Sequence, residues 1–176
     1  MIDGFDKLDA VGQWNSIAKM VDPLVLEHYS KDHRADIQQH VAKNQNCFVV
    51  TLIELAKSSD RFVRAAVAGN PKTPQDILES MTQDEYAIVR ASAYGNWMLP
   101  SAIIVNGLSD TMMTVGIASA RNRFLPESGK HIAQNHKDWL VRYAFLDNAS
   151  ISETTIKEMT KDSHWMVSSK ALKLIL

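Results

Sequence analysis

Apolar residues recur along this chain in short bursts at helical spacing, and each pair of bursts closes on an asparagine turn. In the clearest copy, Ile77, Leu78 and Met81 share one helical face, and Ile88, Val89, Ser92 and Ala93 share another. That spacing predicts a first helix over 75–83 and a second, capped by Asp84, running to about Gly95. Asn70-Pro71-Lys72-Thr73-Pro74 reads as the preceding turn, with Thr73 as N-cap and Pro74 at the first helical position. Gly95-Asn96 reads as a stop, because both residues tolerate the left-handed conformation that ends helices. No stretch alternates as a strand would.

The copies keep one period. Asn44, Asn70, Asn96, Asn122 and Asn148 stand 26 residues apart. Ile37, Val63, Val89, Val115, Val141 and Val167 form an aliphatic column at the same spacing. Further columns hold Pro74, Pro100 and Pro126; Asp32, Ser58, Asp84, Asp110, His136 and Asp162; and Gln38, Arg64, Arg90, Gly116, Arg142 and Ser168. Helices this short are marginal in isolation, so each unit must bury its apolar face on its neighbours. The expected fold is all-α, a right-handed α-solenoid (superhelix) of stacked two-helix repeats with period 26. The array covers 32–176 as five full repeats and a partial one. Residues 1–31 fall outside the columns and read as an N-terminal helical cap, forming one compact domain with the array. In it Val11, Trp14, Ile17, Ala18 and Val21 fit an amphipathic helix, and Asp22-Pro23 begins a second that ends near His28 or Tyr29. The uncharged run from Ala91 to Ser109 has the length of a membrane span. Gly95, Asn96, Pro100, Ser101 and Asn106 break it into two short buried helices with a turn between them.

The stretch Val63-Arg64-Ala65-Ala66-Val67-Ala68-Gly69-Asn70-Pro71, followed by Thr73-Pro74, resembles the consensus of the leucine-rich repeat variant, a short HEAT-like repeat. Asp84 and Arg90 resemble the Asp and Arg that HEAT repeats place six residues apart. The resemblance covers about Asp32 to Ser168 and weakens over 110–135, where Gly116 replaces Arg and Gly129-Lys130 replaces apolar residues. It implies an α-solenoid that binds partners on a curved surface. In such arrays Asp and Arg form a ladder between repeats, which here implies structural roles for Arg64, Asp84, Arg90, Asp110 and Arg142. The founding example of the variant also carries an iron–sulfur module. With one cysteine, Cys47, that feature does not carry over to this chain.

Composition narrows the chemistry. The 176 residues carry 19 Lys+Arg against 20 Asp+Glu, so no global field attracts nucleic acid or an anionic membrane. The acidic start, Met1 to Asp6, lacks the apolar stretch of a signal peptide, which points to the cytoplasm. Cys47 lies beside Phe48, Val49 and Val50 and reads as a small buried hydrophobe. The pairs His28/His33 and His131/His136 are five apart, which does not put two metal ligands on one helical face. No nucleophile, phosphate-loop or metal signature occurs, so the expectation is no catalytic residue, no metal and no cofactor.

Partner contact falls to the second half. Trp97, Phe124, Trp139 and Trp165 cluster there, and Trp139 and Trp165 share a column that is either core or an exposed anchor patch. Residues 116–142 hold Arg121, Arg123, Lys130, Lys137 and Arg142 against Glu127 and Asp138, a local basic excess. Arg121 and Arg123 flank Asn122 in a turn, suited to an acidic protein surface or a phosphate backbone. The apolar ending, Ala171 to Leu176, offers a homodimer surface. The resulting expectation is a non-enzymatic adaptor or scaffold for protein–protein interaction. The alternative is a nucleic-acid binder resembling the HEAT-like alkylpurine DNA glycosylases in fold only, which the charge disfavours.

Overall fold

A computed structural model describes residues 4–176; Met1, Ile2 and Asp3, the start of the acidic N-terminus, lie outside them. Among the described residues there are thirteen α-helices and two 3-10 segments, and no strand. The helices are α1 (Ala10–Ala18), α2 (Pro23–Tyr29), α3 (Ala35–Lys43), α4 (Val49–Leu55), α5 (Arg61–Gly69), α6 (Gln75–Met81) and α7 (Ala87–Gly95). There follow α8 (Ser101–Ile104), α9 (Met113–Arg121), α10 (Glu127–Gln134), α11 (Trp139–Phe145), α12 (Glu153–Met159) and α13 (Trp165–Ile175). The uncharged run is thus split by the turn after Gly95. No described helix is long and apolar enough to cross a membrane.

Helix starts keep the sequence period. The helix after each turn begins at Val49, Gln75, Ser101, Glu127 and Glu153, and the helix before it at Ala35, Arg61, Ala87, Met113, Trp139 and Trp165. The period also runs back into the cap, because α2 begins at Pro23, in register with Val49. No sequence column shows this: Asp22 caps α2 through its own carboxylate, at 2.9 Å from the Leu24 N–H, without the asparagine turn. In α1 only Ile17 of the five expected core positions is fully buried, and Val11 and Val21 are exposed.

The chain divides into two compact units, one ending at Met98 and one beginning at Leu99. In the first, α1 packs on α3, α3 on α5 and α5 on α7. In the second, α9 packs on α11 and α11 on α13. The aliphatic column, Ile37 to Val167, has no solvent exposure at any of its six positions. One turn later Val41, Val67, Ala93, Ser119, Phe145 and Ala171 are buried as completely. Each fully buried valine contributes on the order of 1.5–3 kcal/mol.

Three local expectations change. Among the described residues no non-glycine has positive φ, and Asn44, Asn70, Asn96 and Asn122 end their helices in extended backbone, Asn70 at φ −76° and ψ 129°. Thr73 is not the cap of α6: its hydroxyl turns back and donates to the Val67 carbonyl at 2.5 Å, and Pro74 takes the N-cap position. Asp84 is not the cap of α7 either, since Tyr86 holds that place and Asp84 accepts the Tyr86 N–H at 2.9 Å.

The weak repeat also has a physical account. Helix α8 stops after four residues and passes into a 3-10 segment, Val105–Ser109. The Ser119 hydroxyl donates to the Ile104 carbonyl at 2.5 Å, an acceptor placed to close the next helical turn. At Gly129 a Cβ would meet Leu125 Cδ1 at 2.6 Å, so the glycine gives the buried Leu125 its room.

Candidate functional site

The asparagines are bound side chains at the joints between repeats. Asn70 Nδ2 donates to the Ala42 and Asn44 carbonyls at 2.6 and 3.2 Å, and its Oδ1 accepts the Lys72 N–H at 2.9 Å. Asn96 donates to Ala68 and Asn70, and Asn148 to Ala120 and Asn122, at 2.8–2.9 Å. Asn44 does the same one step out of register, reaching Ile17 and Met20 in the cap. All five accept the N–H two residues on through Oδ1. An amide is the side chain that offers donors on one side and an acceptor on the other, which accounts for the column.

The Asp and Arg columns meet across a 20-residue offset. Arg64 Nε and Nη2 donate to Asp84 at 2.7 and 3.1 Å, while Nη1 reaches the Ser58 carbonyl of its own repeat at 2.8 Å. Arg142 repeats this with Asp162 at 2.7 and 2.9 Å and with the His136 carbonyl at 2.7 Å. Arg90 Nη1 donates to the Asp84 carbonyl at 2.8 Å. Asp110 accepts the Met112 N–H at 2.8 Å, the turn that Asp84 makes with Tyr86. The Arg142 guanidinium holds the Asp162 carboxyl below its ordinary range. At Asp84 burial pushes the carboxyl up, but the Arg64 guanidinium and the Tyr86 N–H outweigh it and the net direction is down. In the first repeat Asp32 turns to Arg34 instead, which lowers it to about 2.

Two links depart from this pattern, and in both the arginine and its aspartate are replaced together. Gln38 stands opposite Ser58, and Gly116 opposite His136. Gln38 Nε2 still takes the Asp32 carbonyl at 2.8 Å, but nothing long enough to bridge to Ser58 remains. At the second break His136 Nε2 donates to the Leu108 carbonyl at 3.0 Å, and Nδ1 accepts the Asp138 N–H at 3.1 Å. A cleft lies at each break. The first, about 550 Å³, is lined by Gln38, Thr51, Glu54, Ser58 and Asp60 among others. The second, about 520 Å³, is lined by Asp110, His131, His136 and Lys137 among others. Sequence reasoning missed both clefts, although the paired departures 20 residues apart were there to be read.

The aromatic and basic candidates fall in both units. In the first unit Trp97 is 57% exposed. In the second, Trp165 is 70% exposed and Phe124 49%, with the Arg123 guanidinium 5.4 Å from the Phe124 ring. Trp139 is half-buried, stacked on His164 at 3.9 Å. The shared column therefore holds one packed and one open tryptophan. Arg121 is engaged: its Nη2 lies 2.9 Å from Asp147, which Lys170 also holds at 2.5 Å. Lys130 is bound to Glu127 at 2.7 Å and to the Ser150 carbonyl at 2.9 Å. Part of the local positive excess of 116–142 is thus engaged, Arg121 by Asp147 just beyond that window. Leu172 and Leu174 of α13 are exposed. Cys47 is fully buried, and burial pushes its thiol up to about 11. Among the described residues no three His, Cys, Asp or Glu side chains converge as a metal site would require.

Stacked helix pairs joined by buried asparagine and arginine–aspartate links define an all-α repeat protein of the α-solenoid class. Residues 61–85 match the family model described as "Leucine rich repeat variant". A solved structure titled "A leucine-rich repeat variant with a novel repetitive protein structural motif" aligns with 96% of this chain and 78% of that one. The identity is 18% and the TM-score 0.43. No curated protein matches the chain.

Proposed function

We propose that the chain is a non-enzymatic repeat scaffold that binds another protein. One observation carries this reading: Trp97 and Trp165 stand 57% and 70% open to solvent while the repeated polar columns are occupied in holding repeats together. Exposed tryptophans are the side chains that most often anchor protein interfaces. The pairing of Arg121 and Lys130 with Asp147 and Glu127 also favours a protein partner over a phosphate backbone. The test is affinity capture from the native cell with the parent and with Trp97→Ala and Trp165→Ala. At least one variant should lose a captured protein by about tenfold, a 1.4 kcal/mol effect. Unchanged capture by both would refute the reading. A gel shift at low salt should show no DNA or RNA binding; salt-dependent binding would replace the scaffold with the nucleic-acid reading.

A further inference from the structure

We propose that the cleft at the first break, between Gln38 and Ser58, receives the guanidinium of an arginine side chain presented by a partner polypeptide. The inference rests on the protein-binding reading above and specifies the chemistry of one contact.

The next repeat shows what this space holds when the link is intact. There Arg64 lies between the Ser58 carbonyl, the Asp84 carboxylate and the Tyr86 ring, with its guanidinium carbon 5.6 Å from the ring centroid. One repeat earlier the corresponding positions are Gln38, Asp32, Ser58 and Asp60. The cation is gone, and the aromatic that faced it has become a carboxylate. A guanidinium seated at the first break as Arg64 is at the second link would lie beside Asp60.

Charge in the cleft agrees with this occupant. Glu27 is paired with Lys31 at 3.6 Å and Glu54 with Lys57 at 3.0 Å. Asp60 uses Oδ1 to accept the Phe62 and Val63 N–H groups at 2.7 and 3.1 Å, and no cation is paired with it among the described residues. The lining also includes His33, whose exposed ring lies 3.4 Å from Asp32. Ser58 Oγ accepts the Asp60 N–H at 3.2 Å. Thr51, 4% exposed, also lines the cleft, with its Oγ1 buried on the side of the Cys47 thiol. The Ser58 hydroxyl oxygen beside an uncompensated carboxylate suits a planar group with several N–H donors. The second break differs: there His136 spans part of the gap, and Lys137 on the lining opposes a cation.

The test is an NMR titration of the full chain with N-acetyl-arginine amide, set against the citrulline analogue, which keeps the shape and lacks the charge. The arginine probe should shift the Ser58, Ser59 and Asp60 amides saturably, and citrulline should bind at least about tenfold more weakly. Asp60→Asn keeps a good helix cap and removes the charge, so it should weaken binding about tenfold without unfolding α5. Gln38→Arg with Ser58→Asp should fill the cleft and abolish the shifts. Equal response to citrulline, or undiminished binding by Asp60→Asn, overturns the site. A chain that captures a partner through its tryptophans yet ignores the arginine probe also overturns the site, and leaves the scaffold reading intact. A chain that takes the probe at Asp60 supports the site even where the tryptophan variants capture as the parent does.

Discussion

Asn70 is 1% exposed, and its two amide hydrogens end on carbonyls of the preceding repeat while its oxygen closes the turn that leads to α6. Asn70→Ala should therefore cost about 1–3 kcal/mol, because it strands buried backbone groups on both sides of the joint. A urea titration should show a lower midpoint at unchanged slope. The asparagine period was fully legible in the sequence. The conformation was not: left-handed and extended endings both suit asparagine, and the choice is made by acceptors 26–28 residues away. Thr73 was misread for the same kind of reason, since its hydroxyl prefers the Val67 carbonyl over the helix it precedes. The acidic residues give a pH dependence at this scale. Asp32, Asp84 and Asp162 all have carboxyls lowered in the folded chain. Their stabilisation is complete above the unfolded carboxylate value of about 3.9 and is lost as pH falls through the folded values. For Asp32 that loss runs from about pH 3.9 down to the folded value of about 2. Urea midpoints should hold from pH 7 to 5 and fall steeply below pH 4; a flat profile to pH 2 would contradict the assignment.

A helix pair is held by its aliphatic column first and by its polar links second. Val89 is fully buried in α7, and Val89→Asp places an unpaired charge there. The substitution should destroy cooperative unfolding of the first unit, as read by calorimetry, and a variant that melts like its parent would show that the column is not core. The two breaks make the opposite prediction. Gln38→Arg with Ser58→Asp restores the link present at Arg64 and Asp84, and should stabilise the chain by about 1 kcal/mol, the typical net value of one such bond. Helix starts repeat at the period of 26, though α6 ends at Met81 and α7 begins only at Ala87. The links do not follow from the period, because the 20-residue offset between Arg64 and Asp84 is set by how α5 and α7 lie together. Once that offset is known, Gln38 with Ser58 and Gly116 with His136 can be found in the sequence by eye.

Across the whole molecule, the repeated residues are spent on cohesion and the unrepeated ones are left for recognition. Asn, Asp, Arg and Val columns join repeat to repeat within each unit, whereas Trp97, Phe124, the cleft beside Asp60 and Trp165, the open member of the column it shares with Trp139, face solvent. The net charge of −1 conceals this division, since Asp147 pairs with both Arg121 and Lys170 across repeats, 26 and 23 residues away. The claim that the polar columns act as links between repeats is tested most directly by a double-mutant cycle on Arg64 and Asp84, with Arg64→Ala, Asp84→Ala and the double variant unfolded in urea. The account predicts a coupling energy of about 1–3 kcal/mol, as expected for buried charged partners in direct contact. Additive effects, with no coupling between the two residues, would contradict it.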